Sequence, residues 1–130
     1  MKQLIQQAIL ARENSYCPYS GFAVGAALQT KNGQVYQGCN IENGAFSPTN
    51  CAERTAFFKA VSEGVHEFER IVVVGGMKGE VLKRTAPCGV CLQVMAEFCD
   101  PDAFEVVLAL SEEEYEVLRL RDLLPQGFRL

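Results

Sequence analysis

The order of apolar and polar positions divides the chain into short segments with two different periods. Leu4, Ile5, Ala8 and Ile9 recur at spacings of one, three and four, which predicts an amphipathic helix over residues 2–14. Residues 15–21, Ser-Tyr-Cys-Pro-Tyr-Ser-Gly, break that period and read as a loop. Two strand-like runs, Ala23–Thr30 and Gln34–Cys39, flank Lys31-Asn32-Gly33, and Asn-Gly in that position predicts a hairpin. Residues 40–50 form a polar loop that enters a second helix at about Cys51–Glu63, ended by Gly64. Ile71-Val72-Val73-Val74 is β-branched throughout and reads as a strand buried on both faces. After a loop over 75–86, a third helix follows Pro87 and runs to about Cys99. Phe104–Leu110 and Tyr115–Leu120 read as the last strands, before a short helix near Asp122-Leu123-Leu124.

Helix, hairpin, helix, strand, helix, strand, strand is the order of an α/β protein. It implies a five-stranded mixed sheet with helices on both faces. No repeat, linker or low-complexity stretch interrupts it, so residues 1–130 read as a single domain.

Composition removes several function classes. The formal net charge of −4 offers no basic footprint for a polynucleotide. No apolar run approaches the ~20 residues needed to cross a bilayer, so no membrane role is expected. Met1–Gln7 carries no signal-peptide core, which points to a cytoplasmic protein. In that compartment the six cysteines stay reduced and serve as metal ligands or as small buried side chains.

Three of the cysteines stand in a pattern that carries chemistry. Cys51-Ala52-Glu53 is followed, 34 residues after Glu53, by Pro87-Cys88-Gly89-Val90-Cys91. Cys88 and Cys91 are neighbours on one helical face and can share a metal. Three thiolates leave the fourth position of a tetrahedral zinc open for water, the arrangement of a catalytic site. A carboxylate two residues from the first ligand can take a proton from that water and hand it on, which makes Glu53 the candidate general acid–base. The combination is the motif type of zinc deaminases with cysteine-only ligands.

Each of these residues also has a plainer reading. Cys-x-x-Cys alone is common in redox and structural sites, and a first-turn Glu often only complements the helix dipole. A structural zinc, however, needs a fourth ligand. The lone His66 lies roughly four helical turns of ~5.4 Å from Cys51 and reads as a surface residue. Cys17, Cys39 and Cys99 read as core. Three thiolates and Zn²⁺ sum to −1, which weakens the ion as an acidifier of water, so charge must be drained from the sulfurs. Arg54, in the first turn after Cys51, is placed to hydrogen-bond thiolates, and two helix N-termini would assist it. The alternative for Arg54 is a surface ion pair.

The chain resembles the small, homotetrameric, all-cysteine cytidine deaminases nearly end to end. The resemblance rests on Cys17-Pro18-Tyr19-Ser20, Val24-Gly25-Ala26-Ala27-Leu28, Gly38-Cys39-Asn40-Ile41-Glu42-Asn43, Cys51-Ala52-Glu53-Arg54-Thr55-Ala56, Pro87-Cys88-Gly89-Val90-Cys91 and Leu123-Leu124-Pro125. It implies a three-layer α/β/α fold, one zinc per chain and hydrolytic deamination of cytidine and 2′-deoxycytidine in pyrimidine salvage. By resemblance Glu53 shuttles a proton to the ring N3 and then to the leaving amine. The Ala86 carbonyl accepts a hydrogen bond from that amine, and the Ala52 N–H contacts the base. Phe22 packs on the base, and Asn40 with Glu42 binds the ribose hydroxyls. Phe46 matches a position near the site that is usually Tyr. Phe128 matches an aromatic that reaches a neighbouring subunit's site. Leu92 departs from the resemblance, standing where the pattern commonly has Arg. Two rival functions share the zinc motifs: a deaminase for a cytosine-containing antibiotic such as blasticidin S, and a non-catalytic structural zinc module.

Overall fold

Alternation along the central strands sends their side chains into two separate cores. The computed structural model describes residues 1–130. Along β1 (Phe22–Thr30), β3 (Phe68–Met77) and β4 (Glu105–Ala109), Ala26, Leu28, Ile71, Val73, Val106 and Leu108 face one core. Ala27, Val72, Val74, Val107 and Ala109 face the other. Successive strand residues point to opposite sides, so runs that are apolar at every position require a layer on each face. Helix α1 (Lys2–Arg12) covers the smaller core with Leu4, Ile5 and Ala8. Helices α2 (Ala52–Ser62) and α3 (Gly89–Phe98) cover the larger one, with Phe57 and Met95 fully buried. The result is the expected three-layer α/β/α arrangement.

The sheet runs β2-β1-β3-β4-β5, with β2 at Val35–Cys39 and β5 at Tyr115–Arg119. All pairs are antiparallel except β3 with β4, which are joined through α3 as a parallel pair requires. The hairpin turns at Gly33, whose φ of 92° only glycine adopts freely. The end of α2 is a Schellman closure: Val65 N–H donates to the Ala60 carbonyl, Gly64 N–H to the Val61 carbonyl, and Gly64 takes φ 87°. A four-residue helix α4 (Leu120–Leu123) follows β5 directly.

Most element ends fall within a residue or two of the expectation, and the departures at β3 and α1 have a clear cause. β3 is longer than Ile71–Val74 at both ends: Phe68 and Arg70 pair with Thr30 and Gln29, and Gly75, Gly76 and Met77 pair with Val24, Ala23 and Phe22. Helix α1 stops at Arg12 instead of residue 14, and that arginine turns back onto the sheet. Its guanidinium donates to the carbonyls of Ala23 (2.8 Å), Gly76 (2.7 Å) and Met77 (3.1 Å), holding the β1 and β3 ends together.

Two glycines let the layers close. A Cβ on Gly25 would be driven into the Ala8 carbonyl and lie 2.6 Å from the Arg12 nitrogen of α1. A Cβ on Gly38 would be driven into the Ala52 carbonyl and lie 2.6 Å from the Ala56 nitrogen of α2. Gly38 therefore sets the height at which the first turn of α2, with Glu53 and Arg54, sits over the sheet.

Candidate functional site

Cys51 and Cys88 are the N-cap residues of α2 and α3, and both have extended backbones (ψ 158° and 167°). Neither sulfur caps its own helix, so both are free to face a common point. Cys91 joins them from the first turn of α3. The three sulfurs lie within 4.8 Å of one another, with Cys51 and Cys88 3.8 Å apart and Cys88 and Cys91 3.6 Å apart. Thiolates at ~2.3 Å around a tetrahedral zinc stand about 3.8 Å from each other. The triangle therefore fits zinc in donor type and in spacing, and no fourth side chain joins it. Expectation and structure differ only in that Cys51 and Cys88 precede the first helical residue.

The surroundings of the triangle draw one of its sulfurs, Cys51, toward the thiolate. The Cys91 thiol hydrogen bond, followed by the Arg54 guanidinium, outweighs burial and pushes the Cys51 thiol down to about 5. Cys91 moves the opposite way, first because its proton serves Cys51 and then because it is buried. Metal binding to such a set releases the remaining protons. Arg54 Nε–H donates to Cys91 Sγ at 3.4 Å, and its Nη2 donates to Cys51 Sγ at 3.3 Å. One guanidinium thus bridges sulfurs from both helices, and the surface ion-pair alternative does not apply.

Glu53 is 4% exposed, and burial, with a smaller push from Cys51, raises its carboxyl to about 7. A carboxyl poised there takes up and releases a proton near neutrality. With Cys51, Cys88, Phe22, Asn40, Glu42, Ala52 and Ala86 it lines one cavity of about 250 Å³. That volume is of the order expected for a small-molecule site.

The polar side of the cavity is held from two loops. Asn40 uses one donor and one acceptor on β1: its amide donates to the Phe22 carbonyl (2.8 Å) and its oxygen accepts from Val24 N–H (2.9 Å). One N–H and one lone pair stay available. Glu42 accepts from the N–H groups of Tyr19 (3.0 Å) and Ser20 (3.1 Å), and from the Ser20 hydroxyl. These bonds, the hydroxyl first, hold its carboxyl below the usual range.

Two residues matched by resemblance lie outside this cavity. Phe46 is 75% exposed with a left-handed φ of 62°, in an adjoining recess beside Tyr19, Ser20, Glu42, Asn43 and Thr49. Phe128 lines a separate groove near Cys99 and Leu124, where its carbonyl accepts from Gln93. Leu92 is packed into the larger core. His66 is exposed, as expected, while Cys39 is only half-buried, because it lies on the edge strand β2.

Sequence reasoning passed over Ser20, Thr49, Asn50 and Thr85, which also line the cavity. The signal for Thr85 was the Gly75-Gly76 pair. The Thr85 side chain occupies the space where a Gly75 Cβ would stand, 2.5–2.9 Å away, and so seats the loop carrying Ala86 and Cys88 against β3.

A triangle of three cysteines at the edge of a cavity lined by a buried glutamate, set in an α/β/α sandwich, defines the class of zinc-dependent deaminases. Residues 1–107 match the cytidine and deoxycytidylate deaminase zinc-binding region. A cytidine deaminase of Sporosarcina psychrophila is 49% identical over 128 residues, covering 98% of this chain and 90% of that protein. The structure of a cytidine deaminase from Burkholderia pseudomallei superposes with a TM-score of 0.86 at 48% identity, covering 97% of both chains. A blasticidin-S deaminase of Bacillus cereus is more distant, 34% identical over 88 residues and covering 65% of this chain and 62% of that protein. The chain belongs to the cytidine and deoxycytidylate deaminase family.

Proposed function

We infer that this protein hydrolyses cytidine and 2′-deoxycytidine: water replaces the 4-amino group, giving uridine or 2′-deoxyuridine and ammonia. The observation that carries this reading is the thiolate triangle beside a buried Glu53, on a cavity whose far wall offers Asn40 and Glu42. Cys51, Cys88 and Cys91 hold one zinc, which when bound supplies Lewis acidity toward water. Glu53 takes the first proton of the attacking water and delivers it to ring N3, then takes the second from the new C4 hydroxyl and delivers it to the departing amine, so that the C4–N bond breaks as the 4-carbonyl forms. Burial raises its carboxyl to about 7 in the metal-free chain, which makes the carboxylate a stronger base than an exposed one. The Ala86 carbonyl accepts from the amine, the Ala52 N–H contacts the base, and Phe22 forms the wall on which the base lies.

Asn40 and Glu42 bind the ribose hydroxyls, with the donor and acceptor capacity that their other bonds leave over. Free nucleosides need no base flipping and no basic channel, which suits a chain of net charge −4. Arg54 drains charge from two of the three sulfurs. We place the reaction in pyrimidine salvage in the cytoplasm, where unpaired cysteines persist; all six are free here. We further propose a homotetramer in which the exposed ring of Phe128 contributes to a neighbouring subunit's site, while Phe46 stands beside the sugar-binding end of its own. A truncation before Gly127 then lowers turnover while the zinc content stays at one per chain.

The activity is tested by following cytidine and blasticidin S separately, with uridine and ammonia as the measured products. Turnover of cytidine with one ammonia per uridine supports the assignment. Turnover of the antibiotic alone reverses it.

A further inference from the structure

We propose that Ser20 is a positioning residue for nucleoside selectivity, locking Glu42 in the one orientation that meets the sugar. The inference rests on the cytidine-deaminating reading of the site and goes beyond it, because Ser20 touches neither the zinc ligands nor Glu53.

Glu42 lies at the mouth of the cavity and is half-buried. A carboxylate there, left to itself, would sample several rotamers, and a hydrogen bond to the sugar would first have to order it. Ser20 removes that freedom. Its hydroxyl donates to Glu42 Oε2, while its own N–H and that of Tyr19 occupy Oε1 at 3.1 and 3.0 Å. The same hydroxyl oxygen accepts from Phe22 N–H at 2.9 Å.

Ser20 therefore ties three elements of the site together: the 15–21 loop, the carboxylate of the 40–50 loop, and the first residue of β1, whose ring lines the cavity. Each carboxylate oxygen has more than one acceptor direction, and Oε2 spends only one on Ser20. What remains of Oε2 belongs to a side chain that lines the cavity, where a ribose hydroxyl can donate to it. The lowered carboxyl pKa agrees, since the Ser20 hydroxyl is its largest cause.

The test uses zinc-loaded protein and two substrates, cytidine and 2′,3′-dideoxycytidine, which differ only in the hydroxyls that Glu42 is there to meet. The readout is the ratio of their kcat/KM values. In Ser20→Ala this ratio falls about tenfold, the size expected for loss of one charge-assisted hydrogen bond. The change appears as a higher KM for cytidine, with kcat and the dideoxycytidine KM unchanged. Ser20→Thr, which keeps the hydroxyl, restores the ratio. Ser20→Cys, a weak donor, lowers it and serves if the alanine variant does not fold. In an E42Q background, Ser20→Ala has no further effect on the ratio.

An unchanged ratio in both Ser20→Ala and Ser20→Cys overturns the inference. So does an equal loss on both substrates, which would make Ser20 a general support for the loop. Wild-type protein that leaves cytidine intact takes down the functional reading and this inference together. Turnover of cytidine with an insensitive ratio takes down this inference alone.

Discussion

Arg54 Nε stands 3.4 Å from Cys91 Sγ, a contact that crosses from the first turn of one helix to the first turn of another. The guanidinium is permanently charged and planar, so its Nη2 can serve Cys51 at 3.3 Å at the same time. A ligand set of net −1 with zinc is thereby brought back toward neutrality. Outer partners of this kind are worth about 10- to 100-fold in metal affinity. Arg54→Ala is expected to weaken zinc binding within that range and to slow turnover. Competition against a chelator of known affinity measures the first; unchanged affinity and unchanged turnover together reject the bridging role.

Gly38 governs the position of the glutamate from the opposite side of α2. A methyl group there meets the Ala52 carbonyl and the Ala56 nitrogen, both backbone atoms of a packed helix that cannot swing aside. Overpacking of this kind costs about 1–3 kcal/mol. Gly38→Ala is expected to lose that much stability in urea denaturation. Turnover should fall as well, because the first turn of α2 carries Glu53. Equal stability and activity would mean that the helix lies further from β2 than described.

Glu53 makes the stability of the metal-free protein depend on pH, and the sign follows from its shift. Its carboxyl titrates at about 7 in the fold against 4.5 in an ordinary setting, so the folded state favours the protonated form. The contribution is most favourable below 4.5 and is lost as pH rises toward 7. Across that window the loss amounts to about 3 kcal/mol. Glu53→Gln cannot ionise. Chelator-treated Glu53→Gln should therefore gain on the wild type as pH rises from 4 to 8, by denaturation midpoint. A constant difference between the two would show that the carboxyl is not desolvated.

What could be read from the chain, and what could not, follows from the range of the interactions involved. The Asn-Gly hairpin, the Gly64 helix end and the entry of both cysteine segments into helices are local, and each appears in the structure. The triangle of Cys51, Cys88 and Cys91 was legible because ligand chemistry needs those residue types near helix starts. The length of β3 was not. Gly75-Gly76 reads as a break, yet each glycine admits a close neighbour: Thr85 at the first, the Val81 carbonyl at 2.9 Å at the second. The hold of Ser20 on Glu42 spans 22 positions and leaves no periodic trace. Phe46 and Phe128 line recesses other than the cavity that holds Glu53, a separation set by tertiary packing and not by local pattern.

The division of labour between the sulfurs and the carboxylate is open to one direct measurement. Wild-type protein and Glu53→Gln are each assayed for bound zinc and for the decline of cytidine absorbance. Both proteins should carry one zinc per chain, while the variant turns over about 10²- to 10⁴-fold more slowly, the usual worth of a general acid–base. A Glu53→Gln protein that keeps its zinc and deaminates cytidine at the wild-type rate would contradict the account, as would a wild type that is fully active without metal.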